Sequence, residues 1–223
     1  LSLNGLCEEI GRSYNGDPMQ RVIYTDSHDS AANGSARLNE VIAPGKADNL
    51  FARRQSLIAA TIAMTTPGIP MLFQGQEFME GGAFSDWQAL NWEMADRHKG
   101  IVEAHKHLIA LRKNSGGVSA GLSGRNLNLM HVDDDNKVIA YHRWENGGEH
   151  DDVIVVINFS DHQYDTYDLW FPRPGKWKVR FNSTWKGYSD DFKVVEVADV
   201  EVTNGTGTLV IPPSAALILS QGA

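Results

Sequence analysis

The chain has 223 residues, 42% hydrophobic and 22% charged, enough to bury a sizeable core as one or two domains. The formal net charge is −8, and with no basic stripe against that background a nucleic-acid partner is not expected. No apolar run approaches the roughly 18 residues of a membrane span, no signal peptide is legible after Leu1, and the single cysteine, Cys7, rules out an internal disulfide and leans towards a reducing, cytoplasmic setting.

Residues 21–27 read as a strand. Val22-Ile23-Tyr24-Thr25 is an apolar, β-branched run that ends on Asp26-Ser27-His28-Asp29, and the small-residue loop Ser30 to Leu38 follows. The spacing predicts a helix over 47–64, with Leu50, Phe51, Leu57, Ile58, Thr61, Ile62 and Met64 at helical intervals. Arg53, Arg54 and Gln55 fall on its other side, and Asp48 is the expected N-cap. Pro67-Gly68 stops the helix, since proline cannot continue it. Ile69 to Gln74 is a short apolar run of the kind buried on both faces of a parallel sheet. A loop rich in glycine and aromatics runs to Met94. A second helix is expected from Lys99 to Lys113, with Ile101, Ala104, His105, Leu108 and Leu111 along one stripe. Strand, helix, strand, helix is the rhythm of βα units.

From about Gly117 the rhythm changes. Asn126–Val132, Lys137–Trp144, Val153–Phe159, Tyr164–Phe171, Lys176–Phe181, Val194–Val202 and Ala215–Ser220 are short β-rich segments, with turn signals such as Asp133-Asp-Asp-Asn136 and Pro172-Arg-Pro-Gly175 between them. Strands at this spacing indicate an antiparallel sandwich, and the boundary falls near Ser115-Gly116-Gly117. Two βα units cannot make a barrel, which needs eight strands and about 250 residues. Either they pack on sequence outside this chain or a barrel is the wrong expectation.

The residues carry a family resemblance. Val22–Asp29 resembles the segment at the seventh barrel strand of the α-amylase superfamily of glycoside hydrolases, and Gly68-Ile-Pro-Met-Leu-Phe-Gln-Gly-Gln-Glu77 resembles the segment at its eighth. Val153-Ile-Val-Val-Ile-Asn-Phe-Ser160, Gly175-Lys-Trp-Lys-Val179 and Pro213-Ser-Ala-Ala-Leu-Ile-Leu-Ser220 are similar to the β-sandwich that follows that barrel. Within the superfamily, Ser27-His-Asp-Ser-Ala-Ala-Asn-Gly34 and Gly75-Gln-Glu-Phe78, with Phe84-Ser-Asp-Trp87 and Leu90-Asn-Trp92 beyond, look most like 1,4-α-glucan branching enzymes. Maltooligosyl-trehalose trehalohydrolases share the Gly-Gln-Glu-Phe phrase. The fold class implied is α/β plus all-β: the last two βα units of an incomplete TIM barrel in residues 1–116, then an antiparallel β-sandwich in residues 117–223. The chain is then the C-terminal part of a larger enzyme, with an α-1,4-glucan of the glycogen or starch type as substrate and the N-terminal part of the barrel as partner.

The resemblance also implies roles. Retaining glycoside cleavage uses two carboxylates about 5–5.5 Å apart, one nucleophile and one acid. Those sit on earlier barrel strands of the family, and no segment here matches either, so this chain alone is expected to be inactive. Asp29 would be the third carboxylate, which stabilises the cationic transition state, and His28 would hydrogen-bond the same sugar hydroxyls. A bare His-Asp is otherwise a strand-end turn, with Asp capping a backbone amide. A Ser27-His28-Asp29 triad is not expected, because adjacent strand residues point to opposite faces. Glu77 matches a position that is structural in the family. Trp87 is open to two readings, stacking on glucose or covering the barrel end, whereas Trp92 is expected in the core. Tyr24 is expected at the strand end, packing and touching substrate.

No cofactor is implied, and no metal. His105 and His107 are two apart on one helix and do not share a face. Asp133 to Asn136 lacks the glycine and distal Glu of an EF-hand and reads as a hairpin turn. The Asn-x-Ser/Thr patterns at Asn33, Asn158, Asn182 and Asn204 read as turn dipeptides rather than glycosylation sites. Against glycosyl transfer with branching stand two alternatives: glucan hydrolysis by the same residues, and a non-catalytic carbohydrate-binding module built on Trp170, Trp177 or Trp185.

Overall fold

A computed structural model describes residues 2–222. Helix α1 (Leu3–Gly11), absent from the sequence-based expectation, opens on Ser2, whose hydroxyl accepts from the Gly5 amide, and buries Leu3, Cys7 and Ile10. Strand β1 (Val22–Ile23) leads through α2 (Leu38–Ile42) and α3 (Leu50–Thr65) to β2 (Ile69–Pro70), which pairs with it in parallel, Val22 opposite Ile69 and Ile23 opposite Pro70. Both strands are shorter than their apolar runs. Pro70 has no N–H to donate, so the ladder ends after the Met71 amide reaches the Ile23 carbonyl at 2.8 Å. Gly68 makes the approach possible: its φ is +139°, and a Cβ there would strike the Ile23 side chain.

Helix α3 is capped by Asn49, not Asp48. The Asn49 carboxamide oxygen accepts from Ala52 N at 2.8 Å, while Asp48 faces His98 Nε2 at 3.3 Å. Its inner face buries Leu57, Ile58, Ala60 and Met64, with Thr61 and Thr65 hydroxyls returned to carbonyls one turn back. The opposite, arginine-bearing side is partly covered as well. Arg53 reaches Ser189 Oγ at 2.6 Å, and the Arg54 guanidinium lies 5.8 Å from the Phe192 ring centre. After α4 (Glu93–Arg97), α5 (Lys99–Arg112) buries Ile101, Ala104, His105 and Leu108 as expected, with Arg112 rather than Leu111 completing the stripe.

The second half is all β: β3 (Asn126–Asp133), β4 (Val138–Trp144), β5 (Val153–Asn158), β6 (Tyr164–Trp170), β7 (Gly175–Asn182), β8 (Val200–Val202), β9 (Thr206–Ile211) and β10 (Ala215–Ser220). Six strands form one antiparallel sheet in the order β3-β4-β5-β10-β7-β8, and β6 pairs with β9. Of the expected Val194–Val202 strand only the end is formed, because the Asp199 carboxylate takes the Val179 amide at 3.0 Å and replaces a ladder bond. Strand β9, threaded with Thr and Gly, was not legible as a strand.

Every residue of β5 and β10 is buried, because the sheet is covered on both faces. Val138, Ala140, Ile154, Val156, Leu217 and Leu219 meet Leu169, Phe171 and Leu209 of the β6–β9 side, with Trp177 fully buried among them. The alternate residues Ile139, Tyr141, Val155, Ile157 and Ile218 meet α1, α3 and α5. Residues on either side of position 116 thus share one core, and two buried arginines fasten it. Arg112 donates to the Met64, Thr66 and Gly68 carbonyls at the end of α3, and Arg143 to those of Thr65, Leu122, Gly124 and Asn126. Burial brings the Arg143 pKa down to about 9. The described residues hold one parallel strand pair, not a closed barrel.

Candidate active site

Beyond β1 the chain forms a loop that is tied down at its base and open at its tip. Asp26 is buried, and its carboxylate accepts from Leu38 N at 2.9 Å, closing the loop across 12 residues. Burial raises its pKa despite that bond and the nearby Arg37 charge. Ser27 and Ser30 exchange bonds, Ser27 N to Ser30 Oγ at 2.7 Å and Ser30 N to Ser27 Oγ at 3.1 Å. Asn33 and Gly34 turn the tip at positive φ.

The loop is sewn to the one that follows β2. Arg37, buried, donates from Nη1 to the Gln74 carbonyl at 2.6 Å and lies 4.8 Å from the centre of the Phe73 ring. Desolvation lowers its pKa, opposed by the charges of Glu80, Asp26 and Glu77. Gln76 Nε2 donates to Thr25 Oγ1 at 2.7 Å, and Phe84 N to the Ala31 carbonyl at 2.6 Å. Gly75 turns this second loop at φ +88°, where a side chain would be strained.

On this frame His28 and Asp29 stand at the rim, their side chains 71% and 84% exposed, with His28 Nε2 and Asp29 Oδ1 3.4 Å apart. Their proximity corrects the strand argument against a triad: the strand ends at Ile23, and residues 28–30 form a turn in which neighbouring side chains can meet. A triad still does not form, because Ser27 is engaged with Ser30. Trp87 is 97% exposed, held only by its own loop, where its amide reaches Ser85 Oγ at 3.3 Å. Trp92, expected in the core, is 66% exposed and covers Phe78 with ring centres 5.3 Å apart. It stands at the start of α4, a helix with no buried residue whose Met94 leans on the core from the edge.

Tyr24 is half-exposed and lines a cavity of about 620 Å³ with Val22, Ile23, Ile58 and Ile62, along β1 and α3. Glu77 turns instead to a smaller cavity against α5, with Leu72 and His105. His105 is buried with Nδ1 on the Ile101 carbonyl at 2.9 Å, while His107 reaches Tyr188. Asp133 caps the β3–β4 hairpin by accepting from Asn136 N at 2.9 Å. Asn158 is fully buried, and Asn33 and Asn204 adopt positive φ, as turn residues do. The sequence reading missed Asp26, Arg37 and Gln76. Their signal, single polar residues flanking a Gly/Ser-rich loop, carries no periodicity.

Chemically the rim offers one carboxylate and one imidazole, suited to holding sugar hydroxyls or a positive charge. It does not by itself supply the carboxylate pair that glycosidic cleavage uses.

Residues 129–222 match the family model "Alpha amylase, C-terminal all-beta domain". The chain is 28% identical over 207 residues to the 1,4-alpha-glucan branching enzyme of Rhodospirillum rubrum, covering 86% of this chain and 27% of that enzyme. It is 30% identical over 165 residues to the branching enzyme of Mesorhizobium japonicum, covering 69% and 21%. The chain thus spans about a quarter of the length of these curated relatives. Among solved structures, the pullulanase of Anoxybacillus sp. LM18-11, complexed with maltotetraose, superposes with a TM-score of 0.69 at 21% identity, over 99% of this chain and 31% of that one. An α-amylase from H. orenii does so with a TM-score of 0.52 at 16% identity, over 76% and 36%. At these identities the structures speak for the fold alone. No helix of the described residues is long and apolar enough to cross a membrane.

Proposed function

We propose, from the membership of residues 129–222 in the alpha-amylase C-terminal all-beta domain family, that this chain is the C-terminal part of an α-glucan-active enzyme whose reaction is 1,4-α-glucan branching. The observation that carries the reading is the similarity to branching enzymes over 86% of the chain, which reaches well beyond the β domain into the half that holds His28 and Asp29. The β1–α3–β2 unit supports it, because a parallel strand pair with a helical crossover is the repeating element of a β/α barrel, and active-site residues of such barrels stand at the carboxyl ends of strands. On this reading residues 1–116 are barrel and 117–223 the appended domain. The cavity beside β1 is where the N-terminal part of the barrel packs.

In the branching reaction an α-1,4-glucan segment is cleaved and rejoined through an α-1,6 bond. A carboxylate nucleophile attacks the anomeric carbon as an acid protonates the leaving oxygen, and a glucan hydroxyl then displaces the enzyme carboxylate. Both of those groups belong to the upstream barrel, so the 223-residue chain alone has no turnover. Asp29 opposes the positive charge that builds on the ring, and His28 donates to a sugar hydroxyl. Their exposure suits a rim awaiting its other wall. Trp87 and Tyr24 provide aromatic surface for glucose rings. No cofactor takes part, and Cys7, free and buried, fits a cytoplasmic setting.

The test is Asp29→Asn in the complete parent, which removes charge and almost no volume. We expect kcat to fall about 10²–10³-fold with unchanged thermal stability. Turnover near the parent's would place Asp29 outside the site. Iodine staining with reducing-end release separates the reactions: reducing ends accumulating without new branches means hydrolysis.

A further inference from the structure

We propose that the cleft where the start of α5 meets the Trp185–Asp191 turn is a second glucan-binding site, with Trp185 as its stacking platform and separate from the His28–Asp29 rim. The cleft measures about 680 Å³, and its walls include Asp48, Arg53, His98, Glu103, Lys186 and Asp190. Both halves of the chain build it. Gly100 on α5 lies so close to the Tyr188 backbone that a Cβ would collide, and Arg53 crosses from α3 to Asp191 at 2.5 Å.

Trp185 stands beside this cleft in a fixed pose. Its six-membered ring rests on Gly187, itself a cleft-lining residue, and leaves no room there for a side chain. Its ring also meets Tyr188 at 86°, centres 5.1 Å apart, and Tyr188 is anchored through its hydroxyl to His107 Nδ1 at 2.6 Å. Yet Trp185 remains 54% exposed. A large aromatic held rigid from below and left open above loses little entropy when a ligand stacks on it.

The chemistry of the walls selects the ligand class. Four carboxylates line the cleft against four Lys and Arg side chains, and several are already paired, Arg53 with Asp191, Arg97 with Asp48, and Glu103 with Lys106 beside the cleft. Such a balance gives no net field to hold a phosphate or other anion. It does give both donors and acceptors beside an aromatic side chain, which fits a neutral chain with one apolar C–H face and a fringe of hydroxyls. Of the other tryptophans in this half, Trp177 is core, Trp144 stacks on His142, and Trp170, also half-exposed, leans towards the same histidine. That the chain is an α-1,4-glucan rests on the function proposed above. Holding the polymer at a second point raises its local concentration at the reacting site.

The test titrates the full 223-residue chain with maltoheptaose and, separately, cellohexaose, by calorimetry and tryptophan fluorescence. We expect maltoheptaose to bind, Trp185→Ala to weaken it at least tenfold, and Val41→Ala, an exposed change on α2 away from both sites, to leave it unchanged. Lys186→Ala with Asp190→Asn, two exposed polar changes, is expected to weaken it severalfold and covers the case in which Trp185→Ala misfolds. No sugar binding, or binding indifferent to both Trp185→Ala and the polar pair, overturns the site. Binding of cellohexaose alone, lost in Trp185→Ala, keeps the site and overturns the α-glucan reading instead.

Discussion

Val153-Ile154-Val155-Val156-Ile157 and Val22-Ile23 are both β-branched runs, and the protein treats them in opposite ways. The first lies in the middle of a six-stranded sheet with a core on each face. The second forms half of a two-stranded pair in which Val22 and Ile69 stay exposed beside an open cavity. A strand's composition sets its preference for extended backbone, whereas its burial depends on what arrives to cover it. The covered region is a finished core. The uncovered one carries the candidate active site.

The comparison breaks most easily at its joint. Arg143→Met would leave four carbonyls without their donor at the point where α3 meets the sheet, and we expect a loss of about 3–5 kcal/mol in urea unfolding. A loss below about 1 kcal/mol would mean that apolar contacts alone join the halves. Next comes a paired measurement within the two runs. Ile157→Ala opens a cavity in the shared core and should cost about 2–5 kcal/mol, while Ile69→Thr, exposed and still β-branched, should cost about 0.5 kcal/mol or less. Equal losses would show that the strand pair is as much part of the core as the sheet.

The smallest effect is one of pH, at the hairpin that begins the sheet. The Asn136 amide and side chain, with Tyr167 adding a third bond, hold the Asp133 carboxyl down to about 2. A depressed carboxyl stabilises the fold above its unfolded value near 3.8 and loses that contribution as pH falls through about 2. Asp133→Asn should therefore be slightly less stable than the parent chain at neutral pH, the gap closing between pH 4 and 2. A gap that stays constant down to pH 2 would assign the effect to hairpin geometry rather than charge.

Much of this was legible in local spacing. The sandwich strands, both long helices and the Asp133–Asn136 turn follow from periodicities of 2 and 3.6 and from turn residues, which are properties of neighbours along the chain. His28 and Asp29 were legible through motif, as the polar end of an apolar run. The helix α1 was not, nor was β9, whose Thr and Gly residues carry a weak strand signal. Trp92 was misplaced because its size suggests burial, whereas it lies at the molecule's edge, covering Phe78 at the start of a helix with no buried residue.

By itself the sequence determined where the two long helices run, where most strands of the second half lie, where the chain turns, and which residues mark a candidate site. Tertiary structure alone decided that the sheet is covered on both faces, that Arg112 and Arg143 serve as buried clasps, that Asp26 and Arg37 brace the loop beneath His28, and that Trp185 stands open beside a cleft. Those outcomes depend on pairings between residues up to 138 positions apart, such as Arg53 with Asp191. Whether a polar group is satisfied or an apolar one covered is settled only when distant segments meet.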